Sequence, residues 1–383
     1  MSNPVPSTPG PAAREAGQTA QPPRRHAARN PRIEALRLVA IVGIAVFHTF
    51  QDPFAAATSG AWAPGAPALL ALSCVSLLGA YGNHVFFLIS GFFLVPRAAA
   101  RAHDATYWRD QAHATVRRAL PILATVALYA LVALAVDAWV LPIESVGLNR
   151  TGWLVGGLQF IWVYLAVVVV TPVIGWVWAR VSRPRAVVAA LVVVVFAVNA
   201  YIAFVSPGGE ERGLLEWRKL MSAVSYLVAF LAGGALAEKG LPRPLLLLGV
   251  CGALALLAEG AAALSGNLAL MDALSFKSTS LLSFALAVCS LAVAARPATG
   301  GHPRAAALAC WLTPSILGFY VAQSMFSQVW HPAAEQLMTA AGQAAGAAGA
   351  LGAGAAASVA LLAVVLLADR VVRVPVLRAL RLA

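Results

Sequence analysis

Residues 33–48 read IEALRLVAIVGIAVFH, an apolar run that carries an acid and a guanidinium near its start and an imidazole at its end. On an α-helix, the eleven steps from Arg37 to His48 come to about three full turns, so both side chains share one face, roughly 16 Å apart. A cation and an imidazole on one stripe of an otherwise apolar helix are costly in a bilayer unless they face a cavity or a partner. Glu34, three residues before Arg37, is a helix neighbour that either orients the guanidinium or simply pairs with it at the membrane interface. His48 is read as functional, the alternative being a hydrogen bond to a neighbouring helix.

The rest of the chain fits that membrane reading. Of its 383 residues, 60% are hydrophobic and only 11% are charged, with a mean hydropathy of +0.79. Such a composition excludes a soluble globular domain and gives a polytopic membrane protein. The net charge of +12 does not form a nucleic-acid face, because the basic residues sit in short loops between apolar runs. Cys74, Cys251, Cys289 and Cys310 stand singly in apolar segments, without metal-ligand spacing, and are read as packing residues. No metal is expected.

Residues 1–31 are rich in Pro, Ala and Arg and lack an apolar core, so they read as a disordered basic tail on a membrane domain of residues 32–383. Without a signal-peptide h-region, the first helix is expected to act as an uncleaved start-transfer segment. Ten spans follow, near 33–50, 69–95, 119–141, 153–178, 186–205, 220–237, 245–265, 273–295, 306–330 and 346–368. The expected fold is all-α, a polytopic membrane bundle of about ten transmembrane helices. Outside the spans, the two tails and the even-numbered gaps carry twenty-one basic residues and the odd-numbered gaps five. That asymmetry places both termini in the cytoplasm, and the protein is expected to be a multi-pass protein of the cell membrane. Gly342, Gly346, Gly349, Gly352 and Gly354 mark the last span either for close helix packing or as mere compositional bias.

With the N-terminus inside, Arg37 lies near the cytoplasmic mouth and His48 about 22 Å into a core of about 30 Å. A ligand with an anionic head and a long thin arm would bridge them, and coenzyme A has that shape. Arg117 and Arg118 open the third span at the level of Arg37, where planar forks suit a polyphosphate or serve as ordinary positive-inside flanks. Asn83 and His84 fall at a depth similar to His48. Ser90-Gly91 is a small pair that admits a slender ligand arm or another helix. Arg218, Lys219 and Lys277 on the outer side meet an anionic acceptor or pair with Glu210, Glu211, Glu216 and Asp272. Glu259, mid-span in the seventh helix, is a pore group or a partner for another polar side chain.

These residues resemble the acyltransferase 3 family of multi-pass membrane acyltransferases. The family's first helix reads acid, two residues, Arg, ten residues, His, matched by Glu34, Arg37 and His48. Its second carries an FF-x-x-SG-F signature, matched by Phe86-Phe87-Leu88-Ile89-Ser90-Gly91-Phe92. Arg117-Arg118-Ala119-Leu120-Pro121, Trp162, Tyr164, Thr171-Pro172 and Gly318-Phe319-Tyr320 are further echoes. The resemblance implies transfer of an acyl group, most simply acetyl from acetyl-CoA, to a hydroxyl of a sugar, a cell-surface glycan or a related acceptor. It implies His48 as catalytic residue, with His84 second, and donor binding by Arg37, Arg117, Arg118 and Ser90. Glu34 and Asn83 are the orienting residues. Two departures stand out: Gln323 where the family often has His, and Gln159-Phe160 where it often has a His or aromatic. No esterase-like soluble domain follows the last span, so the chemistry is expected within the membrane unit. A transporter using Arg37, His48 and Glu259 would show inverted repeats, and the motif-rich first two helices have no counterpart in helices six and seven. A non-catalytic scaffold is the other rival, although it has no use for a buried Arg and His on one stripe.

Overall fold

The computed structural model describes residues 30–147, 150, 152–205, 214–275, 279–296 and 303–382. The tail before Asn30 and the loop charges Glu210, Glu211, Arg212 and Lys277 lie outside them, as do the side chains of Glu216 and Arg218. Among the described residues every regular element is helical, as the apolar runs predict: α1 (Pro31–Thr58), α2 (Ala66–Ala99), α3 (Tyr107–Trp139), the single turn α4 (Gly152–Val155), α5 (Gln159–Trp178), α6 (Pro184–Phe204) and α7 (Leu214–Glu238). There follow α8 (Pro244–Leu264), α9 (Leu268–Ser275), α10 (Leu281–Ala294), α11 (Pro303–Leu312), α12 (Ile316–Met325), α13 (Ser327–Val371) and α14 (Arg373–Ala379).

Nine of these, counting α11 and α12 as one run, are long and apolar enough to cross a bilayer. The expected eighth span is divided. Its first residues belong to α9, and α10 keeps 14 residues, about 21 Å of helix against a core of about 30 Å. Between α11 and α12, Thr313–Ser315 tighten into a 3-10 turn, because Pro314 cannot donate to the helix ladder. The long α13 is broken at Ala345 and Gly346, where Gly346 takes φ +64°, a left-handed conformation that costs glycine little. The chain folds back there: a Cβ on Gly354 would lie 2.8 Å from the Met338 sulfur and 2.3 Å from the Phe50 ring. Gly346 thus makes the reversal and Gly354 a close packing contact.

Hydrophobicity is turned outward on several helices. Val193, Leu257 and Val364 are 68%, 69% and 66% exposed, which suits lipid rather than water. The centre is α2, which packs against α1, α5, α7 and α10. Its contact with α7 is at backbone range: a Cβ at Gly91 would fall 1.7 Å from the Phe230 carbonyl oxygen, and one at Gly233 would fall 2.0 Å from that of Leu88. Gly91 is therefore a packing residue, the small-residue device that lets membrane helices approach without a hydrophobic driving force. Cys251 and Cys289, placed singly by the sequence, meet across α8 and α10 with their sulfurs 3.9 Å apart.

Candidate active site

Helix α1 carries both ends of the candidate site. Near its start, Arg37 Nη1 donates to both oxygens of Glu34 at 3.1 and 3.2 Å. Glu34 is buried, and the arginine side chain is 26% exposed. The i,i+3 pair expected from the sequence is present, and the guanidinium side chain is partly exposed.

Three turns later His48 stands in the wall between two cavities. One, of about 410 Å³, is lined by His48, Gln51, Asp52, Gln323, Ser324, Ser327, Gln328, Trp330 and His331, among others. The second, of about 230 Å³, shares His48, Gln51, Gly157, Gln323 and Ser324 and adds Asn83, Gln159, Phe160, Lys219, Ser222, Tyr226 and Tyr320. Both walls mix polar and apolar groups; the polar ones are mostly amides and hydroxyls, with Asp52 and His331 in the first cavity and Lys219 in the second. Asn83, the expected orienting residue, shares the smaller cavity with His48 and donates to the Tyr226 hydroxyl at 2.9 Å. Gln159 donates to the Lys219 carbonyl at 3.3 Å, joining the start of α5 to α7.

His331 is a member of this site that the sequence did not single out. Its Nε2 lies 3.1 Å from the main-chain carbonyl of His48, an acceptor, so this nitrogen carries the proton. Its Nδ1 lies 3.4 Å from Asp52 Oδ2. The contact ties the start of α13 to the end of α1. A third cavity, about 540 Å³ and mostly apolar, adjoins through Asp52 and reaches Trp62 and the Gly346 bend.

His84 goes elsewhere. It is fully buried, with its ring 5.4 Å from that of Phe284 and 6.2 Å from those of Phe196 and Tyr226. It lines neither cavity with His48. Residues 83 and 84 share a depth, but adjacent helical positions are turned about 100° apart, and only Asn83 faces the cavity.

Between the cavities and the basic end stands an aromatic cluster. Phe86 presents edges to Phe160, Tyr164 and Tyr320, while Phe87 stacks on Tyr226 at 4.6 Å. This is where the paired phenylalanines of the second helix act. One turn on, the Ser90 hydroxyl bonds to the Phe86 carbonyl at 2.9 Å and lies 3.5 Å from the Tyr164 hydroxyl. Tyr164, Arg97 and Arg117 are electrostatic neighbours of Arg118. Arg118 is half-buried, and its Nη1 is buried with no hydrogen-bond partner among the described residues. Arg117 is exposed.

Three other buried ionisable side chains are separate from this site. Asp369 and Arg373 form a bidentate pair that also takes in the Tyr129 hydroxyl at 2.8 Å, Thr125 and the Pro314 carbonyl. Gly318 leaves the space for it, since a Cβ there would lie 1.5 Å from Asp369 Oδ1. Glu259 is fully buried and accepts from Ser275 at 2.8 Å, so it partners a polar side chain. Among the described residues, no three His, Cys, Asp or Glu side chains gather as a metal set.

A family model described as an acyltransferase domain, that of acyltransferase 3, matches residues 30–369, nearly the whole chain. Neither the curated proteins nor the solved structures contain a match.

Proposed function

The chain belongs to the acyltransferase 3 family, a multi-pass membrane acyltransferase by its helices, and from that premise we propose that it moves an acyl group, most simply acetyl, from acyl-CoA to a hydroxyl of a sugar, a cell-surface glycan or a related acceptor. The observation that carries the reading is the position of His48 in the wall shared by two cavities, on the same helix as the Arg37–Glu34 pair. The amides and hydroxyls of Gln51, Asn83, Gln159, Ser324, Ser327 and Gln328 in these walls, with Trp330 and Phe160 beside them, suit a hydroxyl-rich acceptor. Arg37 and Arg118 suit the phosphates of the donor, with its thin arm directed past Ser90 and Tyr164 toward His48.

In the reaction His48 accepts the proton of the acceptor hydroxyl as that oxygen bonds to the thioester carbon. The carbon–sulfur bond then breaks, the thiolate leaves with the electron pair, and the imidazolium returns the proton to sulfur. Passage of the acyl group through the imidazole itself is the covalent variant of the same chemistry. His84, enclosed by rings, takes no part in this scheme.

Purified protein given acetyl-CoA and a panel of sugars and glycans should release free CoA in an acceptor-dependent way. His48→Ala should lower turnover by about 10²–10⁴-fold and still bind a non-hydrolysable acyl-CoA. Near-parental turnover in that variant removes the catalytic assignment, and no release with any acceptor favours a transporter or scaffold. We place both termini in the cytoplasm and the protein in the cell membrane, on the twenty-one to five division of basic residues. A reporter fused after Ala383 should read as cytoplasmic, and an external reading overturns the orientation.

A further inference from the structure

Tyr320 and Gln323 are one helical turn apart on α12 and so face the same way. Both are more than nine-tenths buried, at 6% and 3% exposed. The Tyr320 hydroxyl and Gln323 Oε1 are buried without a hydrogen-bond partner among the described residues. Both residues line the 230 Å³ cavity with His48 and Asn83, and Gln323 lines the 410 Å³ cavity as well. The Tyr320 ring is held by stacking on Phe160, with centroids 4.6 Å apart and planes 6° from parallel. Most buried polar groups find partners, because leaving one unmade is costly. Two such groups on one turn, beside the candidate base, call for a ligand group that completes them.

We propose that Tyr320 and Gln323 form the oxyanion-binding pair of the transfer reaction, donating hydrogen bonds to the acyl oxygen as it becomes negative. The proposal rests on the acyl-transfer reading above. As the acceptor oxygen bonds to the thioester carbon, the carbonyl π electrons move onto oxygen, and the proton goes to His48. The Tyr320 O–H and a Gln323 N–H meet that charge until it collapses back, expelling the thiolate. A half-turn of the Gln323 terminal torsion, which is soft and two-fold, exchanges its oxygen for the NH2 group. Neutral donors suit this depth, because they spare the site the desolvation of a buried cation. Preorganised donors of this kind act on the transition state more than on the bound substrate.

The test is steady-state kinetics in lipid nanodiscs with acetyl-CoA and the acceptor that the parent chain uses. Tyr320→Phe keeps the stacked ring and removes only the donor; Gln323→Met keeps the length. Tyr320→Phe should lower kcat by about 10²–10³-fold, leaving KM for acetyl-CoA and the affinity for a thioether analogue near parental. Gln323→Met should lose kcat in the same manner. Gln323→Glu should lose more than Gln323→Met, since a carboxylate repels the oxyanion. Parental kcat in Tyr320→Phe, or a loss carried wholly by KM and analogue binding, overturns the proposal. The acyl-transfer reading fails by a different result, no acceptor-dependent release of CoA by the parent chain.

Discussion

The two ends of α1 solve the problem of polarity in a membrane in opposite ways. Toward its start the helix carries charge, Glu34 with Arg37, and other helices hold charge of their own in the Asp369–Arg373 pair and the half-buried Arg118. Toward its end, His48 is surrounded by amides, hydroxyls and aromatic rings, with Asp52 and His331 at the side. Charge attracts a polyanionic donor but is costly to bury, so where it is buried it is paired. Neutral groups hold a hydroxyl and a developing oxyanion at depth without that cost. The difference teaches that a buried charge in this chain is informative only after its partner is known.

The largest expected effect breaks the buried charged pair outside the site. Asp369→Ala leaves Arg373, 4% exposed, without its acid, and an uncompensated buried charge costs about 3–5 kcal/mol. The variant should lose thermal stability and yield, whereas His48→Ala should keep both and lose turnover. Replacing the pair together, Asp369→Leu with Arg373→Met, should be milder than Asp369→Ala alone, because no charge is stranded. An Asp369→Ala protein with parental melting temperature and weakened acyl-CoA binding would move this pair from scaffold to site.

The charged end was partly legible in the sequence and the neutral end hardly at all. Glu34, Arg37 and His48 are neighbours on one helix, so periodicity alone gives their relation. The apolar runs gave the helices, with the eighth span shortened because α9 and α10 separate at residues that hydropathy treats as one run. His331, by contrast, reaches the His48 carbonyl across 283 residues of chain, and Gln323 and Tyr320 come from α12. Their convergence depends on how α12 and α13 pack against α1, which is a tertiary matter. Asp369 with Arg373 had a local signal, an acid four residues before an arginine. The positive-inside count absorbed Arg373 as an ordinary flank.

Next in size is a comparison of two guanidiniums. Among the described residues the electrostatic neighbours of Arg118 are Tyr164, Arg97 and Arg117, and its Nη1 is buried and unpartnered, while Arg37 shares its charge with Glu34. A charged hydrogen bond to phosphate contributes about 1.5–3 kcal/mol, so Arg118→Ala should weaken acyl-CoA binding by about ten- to a hundredfold. Arg37→Ala should lose less, and Arg37→Lys should recover only part of that loss because the planar fork is gone. Equilibrium binding of the thioether analogue reads all three variants. Equal affinity in Arg37→Ala and the parent would make the Arg37–Glu34 pair an interfacial anchor.

The smallest effect is the one that decides between geometry and charge density. Arg117 stands next to Arg118 in the sequence and carries the same charge, but helical rotation turns it about 100° away, and it is exposed. Exposed charges are screened over about 8–10 Å at ordinary salt, and an exposed pair contributes about 0–1 kcal/mol. Arg117→Ala should therefore change analogue affinity by less than about fivefold, and that small change should fade as salt is raised. The loss in Arg118→Ala should persist, since a partly buried group is screened much less. If the two variants lose affinity equally and salt erases both losses, the donor is drawn by the sum of basic charge at this end. Arg118 would then hold no phosphate of its own.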